Sequence, residues 1–363
     1  MARIDAFLKL GLAQGCSDVH LAVGVPPMLR MNGELMPIKF RDLAETELET
    51  YVNEILSPAM RSRFLDGHDI DFSYVSEDGG RFRVNVFRKD TGIGATFRFI
   101  PAEVPSLEKL GLPKVLAGLC DHHQGMVLVT GSTGTGKSTT LAAMIDYLND
   151  TRSANIISLE DPIEFVHESR HAQIIQRELG THLHSFADGI RAALREDPDV
   201  VLVGELRDAE TISMAMTAAE TGHLVLGTLH TTGAVKTIDR FIDALPGDMR
   251  EQTKSFLGSS LNAVVTQNLV KTPDGRGRRA CLEIMLMTRA IGKLIATDQT
   301  HQIPAQLQTG RDQGMQTMDQ ALMEAIQAKE IDPDDAFRYA SDKSVFQKFV
   351  TDTSLLPKID MAH

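Results

Sequence analysis

The run Gly131-Ser132-Thr133-Gly134-Thr135-Gly136-Lys137-Ser138 sets glycines, a lysine and a hydroxyl at the spacing G-x-x-x-x-G-K-[ST], and Thr139 extends it. That spacing serves phosphate chemistry: the glycines let successive backbone N–H groups curl around phosphate oxygens, and a helix starting at the lysine adds the positive end of its dipole. Lys137 is expected to reach the β- and γ-phosphates and Ser138 to offer its oxygen to Mg²⁺, so the expected cofactors are ATP and Mg²⁺. Ser132, Thr133, Gly134, Thr135, Gly136 and Thr139 complete the expected phosphate cradle. A Gly/Ser/Thr turn that binds nothing needs no special flanks. Here an apolar run, Met126-Val127-Leu128-Val129, comes before and a helix former, Thr140 to Ile145, comes after.

A phosphate loop needs partners brought to the same place, and the following sequence supplies them at strand ends. Short β-branched runs alternate with helical stretches from Met126 onward, the pattern of a parallel sheet covered by helices, whose ligands sit beyond the carboxyl ends of the strands. The run 155–159 ends in Glu160-Asp161-Pro162-Ile163-Glu164, the run 200–203 in Gly204-Glu205-Leu206-Arg207-Asp208, and the run 224–229 in His230-Thr231-Thr232. Any one of these is an ordinary capped strand. Together they put polar groups on one edge. Phosphoryl transfer to water asks for a metal ligand, an oriented water and positive charge on the transition state. Glu205 follows its strand as a Walker B acid would and is assigned to Mg²⁺ or its water shell; Glu160, Asp161 and Glu164 are the candidates for polarising the attacking water. His223 and His230 flank the last run and are expected to hydrogen-bond the γ-phosphate or a carboxylate.

Composition narrows the class. The chain has 363 residues, enough for about two domains each with its own core. A net charge of −12 and the absence of Trp count against a nucleic-acid groove and for protein partners. Cys16, Cys120 and Cys281 are isolated, so neither a zinc ribbon nor a disulfide framework is expected and a reducing cytoplasm fits. No signal-peptide pattern opens the chain and no apolar run reaches the ~18 residues of a membrane span.

The first hundred residues read as a small α+β domain. Ile4, Phe7, Leu8 and Leu12 have helical spacing that Gly15 ends; residues 18–23 alternate as a strand; Met31-Asn32-Gly33-Glu34 is a hairpin signal; a helix is expected across residues 45–56. Three antiparallel strands follow at 69–75, 81–88 and 94–100, the first two joined at Glu77-Asp78-Gly79-Gly80. Phe82, Val84 and Val86 share one face of the middle strand, Arg81, Arg83 and Asn85 the other, and Arg98 stands in the next strand. Alone this is a solvated arginine face. Residues 101–105, Pro-Ala-Glu-Val-Pro, form the expected linker.

These segments resemble the secretion-ATPase superfamily, and within it the PilT-type retraction motors of type IV pili. The resemblance rests on the phosphate loop, on the acidic box Leu159-Glu160-Asp161-Pro162-Ile163-Glu164-Phe165, on Ala193-Leu194-Arg195-Glu196-Asp197-Pro198-Asp199 before the Walker B strand, and on the His box Glu220 to His223 through Gly227 to Thr231. Cys16 to Leu21, Arg81 to Asn85 and Met315-Gln316-Thr317-Met318-Asp319 add to it, so it spans nearly the whole chain. It implies a PAS-like domain over 1–100, set apart by the linker at 101–105 from a RecA-like core over 106–287 with a mostly parallel sheet and C-terminal helices over 288–341; residues 342–363 extend beyond the family's usual end, and their weak periodicity predicts a flexible tail. It also implies a homohexamer in the cytoplasm, peripheral at the inner membrane, with a platform protein there as mechanical partner. Glu164 becomes the catalytic glutamate, Glu205 the Walker B acid, and His223 and His230 the His-box pair. Arg207 is the one arginine in the four strand-end segments, so Arg83, with Arg81 and Arg98, is expected to act as a finger on a neighbouring subunit's γ-phosphate. Assembly motors of the PilB type carry a further N-terminal domain and a four-cysteine zinc site, and the lack of both here favours retraction. The family pattern Ala-Ile-Arg-Asn-Leu-Ile-Arg-Glu is replaced by Ala290-Ile291-Gly292-Lys293-Leu294-Ile295-Ala296-Thr297, which loses two arginines. Competing readings are a paralogous pilus or type II secretion motor, a RecA-type nucleic-acid motor, which should show a basic pore, and a nucleotide sensor without turnover, which the set Lys137, Glu164 and Glu205 argues against.

Overall fold

A computed structural model describes residues 2–31, 34–100 and 103–356 and divides them into two units. The first comprises Met1–Glu103 with Pro162–Val166, the second Val104–Asp161 with His167–His363.

In the first unit, helix α1 (Asp5–Gln14) ends where Gly15 takes a left-handed φ of 68°. Strands β1 (Asp18–Ala22), β2 (Met28–Met31) and β3 (Glu34–Pro37) follow, with Met31 opposite Glu34; Asn32 and Gly33 of the hairpin signal lie outside the described residues. Helix α2 (Glu45–Ile55) is followed by α3 (Pro58–Leu65), which apolar spacing does not announce: Ser57 caps it by accepting from the Met60 N–H, and Pro58 opens its first turn. Strands β4 (Ile70–Val75), β5 (Arg81–Lys89) and β6 (Gly92–Ile100) complete an antiparallel sheet of order β3-β2-β1-β6-β5-β4. Strict alternation along β5 buries Phe82, Val84 and Val86 against Leu8, Leu48 and Val52 of the first two helices.

The second unit opens with α4 (Val115–Cys120), then β7 (Gly125–Thr130), α5 (Lys137–Thr151), β8 (Asn155–Glu160) and β9 (Gln173–Glu178). Next come α6 (Phe186–Ala193), β10 (Val200–Val203), α7 (Ala209–Glu220), β11 (Leu224–Leu229), α8 (Ala234–Asp243) and α9 (Arg250–Ser260). Strands β12 (Leu261–Lys271) and β13 (Arg278–Leu286) close the sheet, whose order among the described residues is β13-β12-β7-β11-β10-β8-β9. Every neighbouring pair is parallel except β12 with β13. Because both faces are covered, the central strands β7, β10 and β11 are buried along their whole length and almost entirely apolar. Met126, Leu128, Val201 and Val203 point to one core, shared with residues of α6 to α9, and Val127, Val129, Leu202 and Leu226 point to the other, shared with α4 and α5. The chain is thus an α/β fold with a mixed, mostly parallel sheet.

Helices α10 (Arg289–Ala296), α11 (Ile303–Thr309), α12 (Met318–Gln327) and α13 (Pro333–Tyr339) follow, the third opened by a capping box of Thr317 and Gln320. Where α10 crosses α9, Gly292 meets Gly258: a Cβ on Gly292 would lie 3.5 Å from the Gly258 Cα. Among the described residues no helix is long and apolar enough to cross a membrane.

The flexible tail expected over 342–363 does not hold for its described part. Helix α14 (Lys343–Phe346) buries Phe346, only 1% exposed, among Leu322, Ala336 and Phe337, and the Thr351 N–H donates to Asp334 at 2.7 Å. One aromatic anchor and an aspartate turn suffice to seat a segment too short to show periodicity. Residues 357–363 lie outside the described residues.

Candidate phosphate-binding site

The loop between β7 and α5 is shaped by its glycines. Gly131, Gly134 and Gly136 take φ of 143°, 82° and 87°, angles at which a side chain is strained. At Gly131 a Cβ would also lie 2.5 Å from the Gln267 carbonyl oxygen, and at Gly136 2.9 Å from the Gln267 Nε2. Ser132, Thr133 and Ser138 are exposed while Thr135 is buried, so the loop is open on one side and packed on the other. Thr139 is half-buried on the first turn of α5.

Lys137, the first residue of α5, is 9% exposed. Its ammonium donates to the Gly131 carbonyl at 2.8 Å and the Ser132 carbonyl at 3.1 Å, and stands 3.5 Å from Nδ1 of His230. The other nitrogen of His230 lies 3.2 Å from Oε1 of Glu205, whose Oε2 accepts from Arg207 at 2.6 Å. Lys137, His230, Glu205 and Arg207 therefore form one contiguous chain of polar groups beyond the ends of β7, β11 and β10. Burial pushes the Glu205 carboxyl up, but Arg207 and His230 together outweigh it and hold it below its ordinary value. The two neighbouring edges are stitched by the Gly204 N–H, which donates to the Leu159 carbonyl at 2.7 Å, and by the Thr228 hydroxyl, which donates to the Gly204 carbonyl.

Glu160, the last residue of β8, belongs to this unit; one of its oxygens accepts from the Ser158 hydroxyl at 2.7 Å and from the Gln176 amide at 3.0 Å. Glu164 belongs to the first unit, where it stands 3.9 Å from a guanidinium nitrogen of Arg83. Arg83 also lies 3.9 Å from Asp71. Arg81 presents a buried Nε without a hydrogen-bond partner among the described residues. Arg98 donates to the buried Asp18 at 2.9 Å.

His223 is not brought to the loop within the chain. It precedes the first residue of β11, and its carbonyl accepts from the N–H of Gly125 at the start of β7, 3.1 Å away. The loop follows the other end of those strands, a distance of about 20 Å for six residues at ~3.3 Å each. The His223 ring is occupied locally, with Nδ1 2.9 Å from the Ala218 carbonyl. Two residues flanking one strand necessarily face opposite sheet edges, which is the reason the pair separates.

Two residues escaped the reading of the sequence. Gln267 in β12, 2% exposed, donates to the Thr135 carbonyl at 2.8 Å and accepts from the Thr140 hydroxyl at 2.7 Å. Its only signal is the polar trio Thr266-Gln267-Asn268 inside an apolar run. Glu283 in β13 lies beneath the loop that leads from His230 into α8; it accepts from the Ala234 N–H at 2.7 Å and from the Met318 backbone at the start of α12, and burial pushes its carboxyl up. Nothing in the sequence separates it from other strand carboxylates.

The family described as Type II/IV secretion system protein matches residues 12–333. The Twitching motility protein of Neisseria gonorrhoeae is 49% identical over 314 residues, 86% of this chain and 84% of its own length. The Type IV pilus retractation ATPase PilT of Pseudomonas aeruginosa is 47% identical over 319 residues, 88% of this chain and 92% of its own. A crystal structure of the pilus retraction motor PilT with bound ADP superposes with a TM-score of 0.88 at 40% identity, covering 95% of this chain and 98% of that one. With the match running through the phosphate loop, the acidic strand ends and the His230 edge alike, the chain belongs to the type II/IV secretion system protein family.

Proposed function

We propose that this chain is an ATP hydrolase that drives retraction of a type IV pilus, working as a homohexamer on an inner-membrane platform protein from the cytoplasmic side. The observation that carries the reading is the chain of polar groups Lys137–His230–Glu205 beside the phosphate loop, in a protein 49% and 47% identical to a twitching motility protein and a pilus retraction ATPase. In this reading Lys137 and residues 132–139 hold the nucleotide phosphates, His230 senses the γ-phosphate, and Glu205 links that sensor to the metal. Glu164 orients the attacking water, with Glu160 in support. Arg83, flanked by Arg81 and Arg98, serves the neighbouring subunit. His223, remote from its own chain's loop, takes no part in nucleotide binding there. The first unit acts as a PAS-like domain and the second as a RecA-like motor.

Mg²⁺ fits the residues present. It keeps several waters and takes one or two carboxylates plus phosphate oxygens, so the hydroxyl of Ser138 and the carboxylate of Glu205 are a sufficient protein share. When bound it neutralises charge on the β- and γ-phosphate oxygens. What the chain itself supplies is a desolvated cation at Lys137 and a carboxylate held ionised by Arg207 and His230.

The purified protein should release phosphate from ATP only with Mg²⁺, and deletion of its gene should give hyperpiliated cells that do not twitch. No hydrolysis, or unchanged twitching with normal piliation, would remove the corresponding half of the proposal. The loss of two arginines in α10, now Gly292 and Ala296, favours a second reading as a paralogous pilus or secretion motor. In that case the deletion strain keeps twitching and loses another pilus or a secreted protein.

A further inference from the structure

We propose that Gln267 is a positioning residue that locks the Thr135–Gly136 peptide of the phosphate loop in its binding orientation; the proposal rests on the nucleotide reading above. Strand β12 runs parallel to β7, with Thr266 opposite Thr130 and their hydroxyls 2.8 Å apart, so Gln267 comes level with the point where the chain leaves the sheet to form the loop. At 2% exposure its carboxamide must find partners in the protein or cost free energy. It finds them on the loop and its helix: Nε2 donates to the Thr135 carbonyl and Oε1 accepts from Thr140, itself 1% exposed on the first turn of α5.

The consequence follows from peptide geometry. A trans peptide holds its C=O and N–H on opposite sides, so a Thr135 carbonyl tied to Gln267 turns the Gly136 N–H away from β12. If the peptide flipped, it would aim a carbonyl where anionic oxygens must sit. Both flanking motif glycines are matched to the same residue, since a Cβ on Gly131 would strike the Gln267 carbonyl and one on Gly136 its Nε2. The loop is thus shaped from below by β12.

ADP titrated into the full-length protein, with thermal unfolding and steady-state ATP hydrolysis alongside, tests this. Gln267→Met keeps length and volume but neither donates nor accepts. It should bind ADP about 10- to 100-fold more weakly and raise KM for ATP similarly, with kcat at saturation within about threefold of wild type. Equal ADP affinity with a lowered Tm would make Gln267 a core residue only and overturn the proposal. Thr140→Val removes one hydroxyl and covers the case of a misfolded methionine variant: about 3- to 10-fold weaker ADP binding supports the lock, and wild-type affinity overturns it. Where both fold, the double variant should be no weaker than Gln267→Met alone, because the hydroxyl's partner is already gone. Additive losses would place Thr140 and Gln267 in separate roles and overturn it. A wild-type protein that fails to bind ADP would instead end the nucleotide reading.

Discussion

Lys137→Ala separates phosphate binding from folding. The ammonium is almost buried and donates to two carbonyls of its own loop, so its removal has a structural cost as well as a catalytic one. Ser132 is exposed, and water replaces the donor to its carbonyl; Gly131 is buried, and its carbonyl loses a charged hydrogen bond of about 1.5–3 kcal/mol. The variant no longer has to desolvate an ammonium, which offsets much of that, leaving about 0–2 kcal/mol of destabilisation. Over a unit of this size that lowers Tm by no more than about 8 °C. Removing one preorganised donor from a charged transition state costs about 10²- to 10³-fold, and in the proposed function the donor also anchors the ground-state phosphates, so turnover should fall at least that far. Phosphate release at saturating Mg²⁺-ATP, with a melting curve on the same preparation, gives both numbers. A folded variant hydrolysing ATP within about tenfold of wild type would refute the assignment of this loop.

Glu164→Gln should keep ADP affinity and slow single-turnover hydrolysis by orders of magnitude; if Glu160→Gln is the slow variant instead, the water-orienting carboxylate is the one that Ser158 and Gln176 hold. Arg83→Ala and Lys137→Ala proteins, each expected to be inactive alone, should recover part of their hydrolysis when mixed, because in the proposed homohexamer a mixed ring would contain interfaces with an intact loop and an intact arginine; full activity across Arg81→Ala, Arg83→Ala and Arg98→Ala variants would dismiss a finger. Phe346→Ala should cost about 3–5 kcal/mol in denaturant unfolding of the second unit, whereas a dispensable tail would show no change. Glu283 has a folded-state pKa raised by burial above the ordinary 4.5, so the folded chain binds its proton first and stability falls as pH rises from 4.5 through the raised value; Glu283→Gln should flatten that slope, and an unchanged slope would exclude the residue as its source.

Sequence spacing was informative wherever function depends on backbone periodicity. The apolar run, glycine loop and helix start lie contiguously in the chain, and the rule that ligands gather at carboxyl strand ends was enough to bring Glu205 and His230 together. The same rule, applied to His223, already separates it from the loop, because it sits before its strand and not after. Gln267 was hidden for a different reason: its partners are 132 and 127 residues away, and no local pattern encodes a contact of that span. Glu160 and Glu164 are four residues apart yet fall in different units, a division that depends on packing and not on spacing. Phe346 closes its segment by a single buried ring, too little to register as amphipathic.

The glycine contact between α9 and α10 has a mechanical consequence. A helix crossing made through side chains can relax by rotamer changes, absorbing small displacements before passing them on. Where Gly258 and Gly292 bring main chain against main chain, there are no rotors at the point of contact, and a push on α10 is felt by α9 at once. Helix α9 runs without a loop into β12, from Ser260 directly to Leu261, and β12 carries Gln267 to the underside of the phosphate loop. The crossing is therefore the stiff end of a strut whose other end bears on the phosphate loop through Gln267, so a wedge placed there, such as Gly292→Leu, loads the far end of the lever from outside the loop.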